Sequence, residues 1–146
     1  MENEIIIKIK IRADTEMSLR PNNGEKVSER FAFSQYARCF DECCPGWCNS
    51  LDNEFNRNYL LTQQEYANML LKNRGYLFLN DVYDMLGMPR TKIGQVVGWI
   101  YDEQNPIGDN YVDFGLGSKS SVGFMNGREN TVILDFNVDG AILDRI

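Results

Sequence analysis

From Ile93 to Ile146 turn-forming pairs recur at short intervals, and that spacing limits the fold more than any other feature of the chain. Asn105-Pro106, Gly108-Asp109, Asn126-Gly127 and Asp139-Gly140 cut the apolar pattern into the runs Val96–Tyr101, Tyr111–Phe114, Thr131–Val138 and Ala141–Ile146. These runs are too short for helices and rich in β-branched and aromatic residues, so they read as strands. Asn-Gly and Asp-Gly supply the positive φ that two-residue hairpins need. A C-terminal antiparallel sheet of hairpins is expected.

Upstream of residue 93 the apolar period is helical. Ser28 is a candidate cap for a helix in which Phe33, Tyr36, Ala37, Phe40 and Cys44 recur at three- and four-residue steps until Pro45-Gly46. Thr62-Gln63-Gln64-Glu65 has the form of a capping box, and the helix it would open turns Tyr66, Met69 and Leu70 inward before Gly75. A third helix, capped by Asn80 or Asp81, would bury Val82, Tyr83, Met85 and Leu86 and stop at Gly87 before Pro89. Ahead of all three, Ile5, Ile7, Ile9 and Ile11 alternate with Ile6, Lys8, Lys10 and Arg12, the period of a strand. Its cationic face fits a sheet edge, where lysine discourages unwanted pairing, or a ribbon that pairs with a neighbouring copy. The expected fold class is therefore α+β: an N-terminal edge strand, three helices and the C-terminal sheet, with the helices on one face. An arm over 1–27 precedes a single domain over 28–146, with helices in 28–87 and antiparallel strands in 93–146.

Charge and composition narrow the chemistry. The chain of 146 residues contains no histidine, so no Ser-His-Asp triad, Cys-His dyad or His-bearing zinc site can be built from it. Fifteen basic against twenty-one acidic side chains leave a net charge of −6, which argues against a surface that tracks phosphates. The start lacks the basic region of a secretory leader, and no apolar run approaches membrane-spanning length. A cytoplasmic setting is expected, in which the cysteines are thiols.

Three constellations could carry chemistry. Cys39, Cys43, Cys44 and Cys48 place four thiols in ten residues. Tetrahedral metal sites draw ligand pairs from separate turns of chain, so one short segment is expected to hold thiols and no metal. Asp135-Phe136-Asn137-Val138-Asp139-Gly140 matches the opening of a calcium loop, but the position of the closing glutamate is Ile146, and a strand ending in an Asp-Gly turn accounts for the same residues. The third is acidic and aromatic: Tyr101, Asp102, Glu103, Asp109, Tyr111 and Asp113 form a candidate partner-binding patch. Base stacking on these rings would need cations beside them, and residues 76–146 carry twice as many acids as bases, so direct nucleic-acid binding is not expected.

The string from Tyr76 to Lys92, then Gly94-Gln95-Val96-Val97-Gly98-Trp99, Asn110–Gly115 and Leu134–Gly140, resembles an uncharacterised family of phages, prophages and integrative elements of Gram-positive bacteria. The resemblance covers residues 76–116 and 131–146 and stops short of residues 1–75. It implies a mobile-element origin and supplies no catalytic residues. The expectation is a non-enzymatic accessory protein, without cofactor, that binds a host or defence macromolecule, for example as an inhibitor of a nuclease-based immune system. The alternative is a virion or assembly component that pairs through Ile5–Ile11.

Overall fold

Val97-Gly98-Trp99-Ile100 is buried at every position, so this strand must lie between layers rather than on a surface. The computed structural model describes residues 32–49 and 54–146. In chain order the elements are β1 (Arg38–Phe40), α1 (Glu54–Arg74), β2 (Tyr76–Phe78), α2 (Leu79–Met85), β3 (Val97–Ile100), α3 (Val122–Met125), β4 (Val132–Leu134) and β5 (Gly140–Ala141). Strand β3 runs antiparallel to β2, with Leu77 opposite Trp99, and to β5, with Gly98 opposite Gly140. A second, two-stranded antiparallel sheet joins β1 to β4, with Cys39 opposite Ile133. The architecture is α+β, with three helices and antiparallel sheets among the described residues. Residues Phe33–Ile146 form one compact unit.

The core centres on Trp99, Tyr83, Phe40, Phe114 and Phe124, all fully buried. Phe136 meets both Tyr83 and Phe114 edge-on, with ring centroids 5.8 and 5.3 Å apart, the geometry that the ring quadrupoles favour. Helix α1 contributes Leu60, Ala67 and Leu71, and each buried leucine is worth about 1.5–3 kcal/mol of transfer free energy.

Several expectations need correction. The segment expected to be a helix from Ser28 to Cys44 contains a strand, β1, followed by turns, and its part before Ala32 lies outside the described residues. The 33-36-40-44 spacing is met without a helix: Phe40 anchors the strand, and Tyr36 and Cys44 fold onto the core from the flanking turns. The second helix begins at Glu54 rather than Thr62, and its buried face is Asn56-Leu60-Ala67-Leu71. Tyr66 and Met69 consequently face outward, while Leu70 stays partly buried. Helix α2 starts at Leu79 with Phe78 as its cap, ahead of the expected Asn80 or Asp81. Asp81 serves from its third position, accepting the Phe78 N–H at 3.0 Å, and Gly87 ends the helix at φ 72° as expected.

The expected strand Tyr111–Phe114 is no ladder strand. The side-chain amide of Asn68 on α1 takes both backbone groups of Val112: Oδ1 accepts its N–H at 2.7 Å and Nδ2 donates to its carbonyl at 2.9 Å. Gln64 Oε1 accepts the Phe114 N–H at 2.8 Å. Asparagine thus stands in for a neighbouring strand. Asn56 holds Cys48 and Asn80 holds Thr91 in the same two-bond way. The pair Asn126-Gly127 closes α3 rather than a hairpin, and the Asp139-Gly140 turn separates strands that belong to different sheets. Residues Ala141–Ile146 supply only Ala141 to β5 and then a 3₁₀ turn at Leu143–Arg145. The Ile5–Ile11 strand, and pairing through it, lie outside the described residues.

Candidate functional site

The 102–110 loop leaves β3 and is closed by its own last residue. Asn110 sits at φ 64°, a conformation asparagine tolerates better than most side chains. From there its Oδ1 accepts the Asp102 N–H at 3.1 Å and its Nδ2 donates to the Asp102 carbonyl at 3.0 Å. Asp102 Oδ1 in turn accepts the N–H groups of Gln104 and Asn105, both at 3.1 Å. The base of the loop is held by Asn137: Oδ1 accepts from Trp99 Nε1 at 2.8 Å and the Asp113 N–H at 2.7 Å, while Nδ2 donates to Asp109 Oδ2 at 2.9 Å and the Tyr111 carbonyl at 3.0 Å.

Asp139 completes the anchor. Its Oδ2 accepts the Ile100 N–H at 3.0 Å, and the loop backbone lies so close that a Cβ on Gly108 would fall on this carboxylate. Burial pushes its pKa up from the ordinary value and the negative charge of Asp109 adds to that, while N–H groups of Ile100 and Asp109 oppose it.

The six residues expected to form the patch therefore divide. Asp102 and Asp113 are half-buried and cap backbone turns, Asp113 by accepting the Gly115 N–H at 2.8 Å. Tyr101 is half-buried beneath Lys72, whose Nζ is 5.9 Å from the ring centroid. Its phenol pKa is raised by desolvation and by the carboxylate of Glu103, which accepts its hydroxyl proton in a hydrogen bond. Glu103, Asp109 and Tyr111 are exposed. Asn137 gathers Asp109, Tyr111 and Asp113 about one side chain. Asp81 and Asp84 stand apart on α2, paired with Arg74 and Arg90. Sequence reasoning weighed Asn137 only within the calcium-like string and did not single out Asn110 or Ile107, which is 44% exposed on the loop. The asparagines leave one signal, the enrichment of Asn at positive φ and in turns.

The calcium-like string is used up by the chain. Asp135 accepts the Ser34 hydroxyl at 2.7 Å, Asn137 grips the loop base and Asp139 holds Ile100. No disulfide joins the four cysteines; Cys39 and Cys43 are exposed, Cys44 and Cys48 half-buried. Among the described residues no three Cys, Asp or Glu side chains converge as a metal ion requires. None of the described helices is long and apolar enough to cross a membrane.

No curated protein and no solved structure matches the chain. Residues 2–146 match the model of DUF6353, a family of unknown function, and the chain belongs to that family.

Proposed function

We propose that the protein is a non-enzymatic accessory factor of a mobile element that binds a host or defence macromolecule through the outer surface of the 102–111 loop. The observation that carries this reading is the loop's combination of exposure and fixation. Residues 103–109 are exposed throughout, yet the loop's ends are clasped to each other by the Asn110 amide and its base is tied to the body of the fold by the Asn137 amide. A loop already fixed in one shape loses little entropy on docking, which is where flexible binders lose affinity. Its surface pairs apolar Ile107 and Tyr111, 44% and 49% exposed, with the carboxylates of Glu103 and Asp109. Residues 1–30 are charge-balanced, so the whole net charge of −6 belongs to residues 31–146 and favours a partner with a basic rim. The family match spans residues 2–146, so the arm and the cysteine segment are family sequence too.

The test is capture of a partner from host lysate by the full chain, followed by affinity measurement with purified partner. Ile107→Arg and Tyr111→Ala avoid the side chains that hold the loop to the body of the fold, and Glu103→Lys gives up only the hydrogen bond from Tyr101. Each anchor substitution is expected to weaken binding about tenfold or more, the range of interface hot spots. Unchanged affinity in all three variants would remove the loop from the interface.

A further inference from the structure

The loop reading makes no use of the four thiols, and the structure sorts them by access and by surroundings. After β1 the chain doubles back in the Asp41–Cys44 turn, closed by the Cys44 N–H donating to the Asp41 carbonyl at 2.9 Å. One carboxylate then bridges the two exposed cysteines: Asp41 Oδ2 accepts from Cys39 Sγ at 3.6 Å, and Oδ1 accepts the Cys43 N–H at 2.9 Å. The other two thiols are held differently. Cys44 Sγ donates to the Cys39 carbonyl at 3.6 Å, and burial pushes this thiol's pKa up, which keeps it protonated and a poor nucleophile. Both backbone groups of Cys48 are taken by Asn56, which fixes Cys48 against the first turn of α1.

We infer that Cys39 and Cys43 form a redox-responsive dithiol that closes to an intramolecular disulfide when a low-molecular-weight disulfide such as glutathione disulfide is supplied. The Cys39 thiolate attacks one sulfur of glutathione disulfide, forming a mixed disulfide and expelling one glutathione thiolate. The Cys43 thiolate then attacks the Cys39 sulfur, forming the Cys39–Cys43 bond and expelling the second glutathione. Two protein thiols are oxidised and one glutathione disulfide is reduced; the protons lost by the cysteines end on the two glutathione thiolates. Closure takes the Cys39 S–H away from Asp41 and draws on the end of β1, where Phe40 packs against Trp47 and Tyr59 with centroids 5.4 and 5.8 Å apart. Trp47 is therefore a built-in reporter.

The experiment incubates the full chain with glutathione disulfide and locates every bond by non-reducing peptide mapping, with the summed emission of Trp47 and Trp99 followed in parallel. The expected result is loss of two of the four titratable thiols, a Cys39–Cys43 bond, a shift in emission and recovery on adding reduced glutathione. Cys43→Ser should stop at a glutathione adduct on Cys39, whereas Cys44→Ser should still close. Both substitutions are checked by circular dichroism, and Cys43 is exposed, so its variant keeps the fold. A Cys39–Cys44 bond, a bond between two chains, or closure that survives Cys43→Ser would each overturn the proposal, as would four thiols unchanged at equilibrium.

Discussion

Gly98 lies against the backbone of Leu77 with no room for a side chain. A Cβ at position 98 would fall on the Leu77 carbonyl oxygen and within 2.8 Å of the Phe78 Cα, and neither atom can swing aside. Gly98→Ala is therefore expected to part β2 from β3 and to lower stability by about 3 kcal/mol or more, the upper range for overpacked sites. Gly117 is the control, because a Cβ there meets nothing within 4 Å. Gly117→Ala should leave stability unchanged or raise it by less than about 1 kcal/mol, since it restricts the unfolded chain. Urea unfolding of the two variants reads both effects.

The Asn68 amide predicts an asymmetry between two substitutions. Asn68→Ala leaves both backbone groups of Val112, itself buried, without partners, at a cost of about 1–3 kcal/mol for each group that water cannot reach. Asn68→Asp keeps the acceptor but turns an oxygen toward the Val112 carbonyl. The carboxylate is disfavoured in the fold, so its pKa rises there and the penalty is full above the folded pKa. It should fade as pH falls and the protonated acid regains a donor. Denaturant midpoints for both variants between about pH 4 and pH 7 distinguish them.

Asp139 gives the unmodified protein a pH dependence of known sign. Its pKa is raised above the ordinary 3.8, by burial first and by Asp109 second, so the fold holds this proton more tightly than the unfolded chain does. The resulting penalty is complete at neutral pH and is relieved as pH falls through the folded pKa toward 3.8. Asp139→Asn keeps an oxygen for the Ile100 N–H and removes the charge. It is expected to be at least as stable as the natural protein at neutral pH and to lack the relief on the acid side, measured by unfolding over the same pH range.

Tyr83 is the buried phenol to watch at alkaline pH. Its hydroxyl donates to the Tyr36 carbonyl at 2.8 Å, and burial pushes its pKa up to about 12 against the opposing charge of Arg38. Ultraviolet titration should find one of the seven tyrosines ionising near that value, and stability should fall as pH rises above 10.0, where the unfolded phenol already ionises. Tyr83→Phe should abolish that late step and cost about 1 kcal/mol for the lost hydrogen bond.

The parts of this fold that declare themselves in the sequence are those held by backbone ladders and apolar periodicity. Helix α2 with its Gly87 stop, strand β3 and the loop after it all follow from local pattern, because Val82, Tyr83, Leu86 and Trp99 are buried by their own elements. Helix α1 was read out of phase because its first two turns carry Asn56 on the inner face, a polar residue that periodicity counts as exposed. Strand β1 was hidden because three residues are too few to show a period of two. The candidate site was legible as an acidic, aromatic loop, but which acids hold the chain and which face outward depends on Asn110 and Asn137. Their partners lie 8 to 38 residues away in sequence, beyond the reach of any local pattern.

The Asn110 clasp makes residues 104–107 a cassette, since Glu103 holds Tyr101 while Gly108 and Asp109 pack on Asp139 and Asn137. Because the Asn110 side chain takes both backbone groups of Asp102, the strand that enters and the segment that leaves are joined whatever spans the gap between them. Lengthening the span adds only slowly to the entropy of closing it. Foreign peptides could therefore be displayed at this point with Trp99 and the sheet beneath undisturbed.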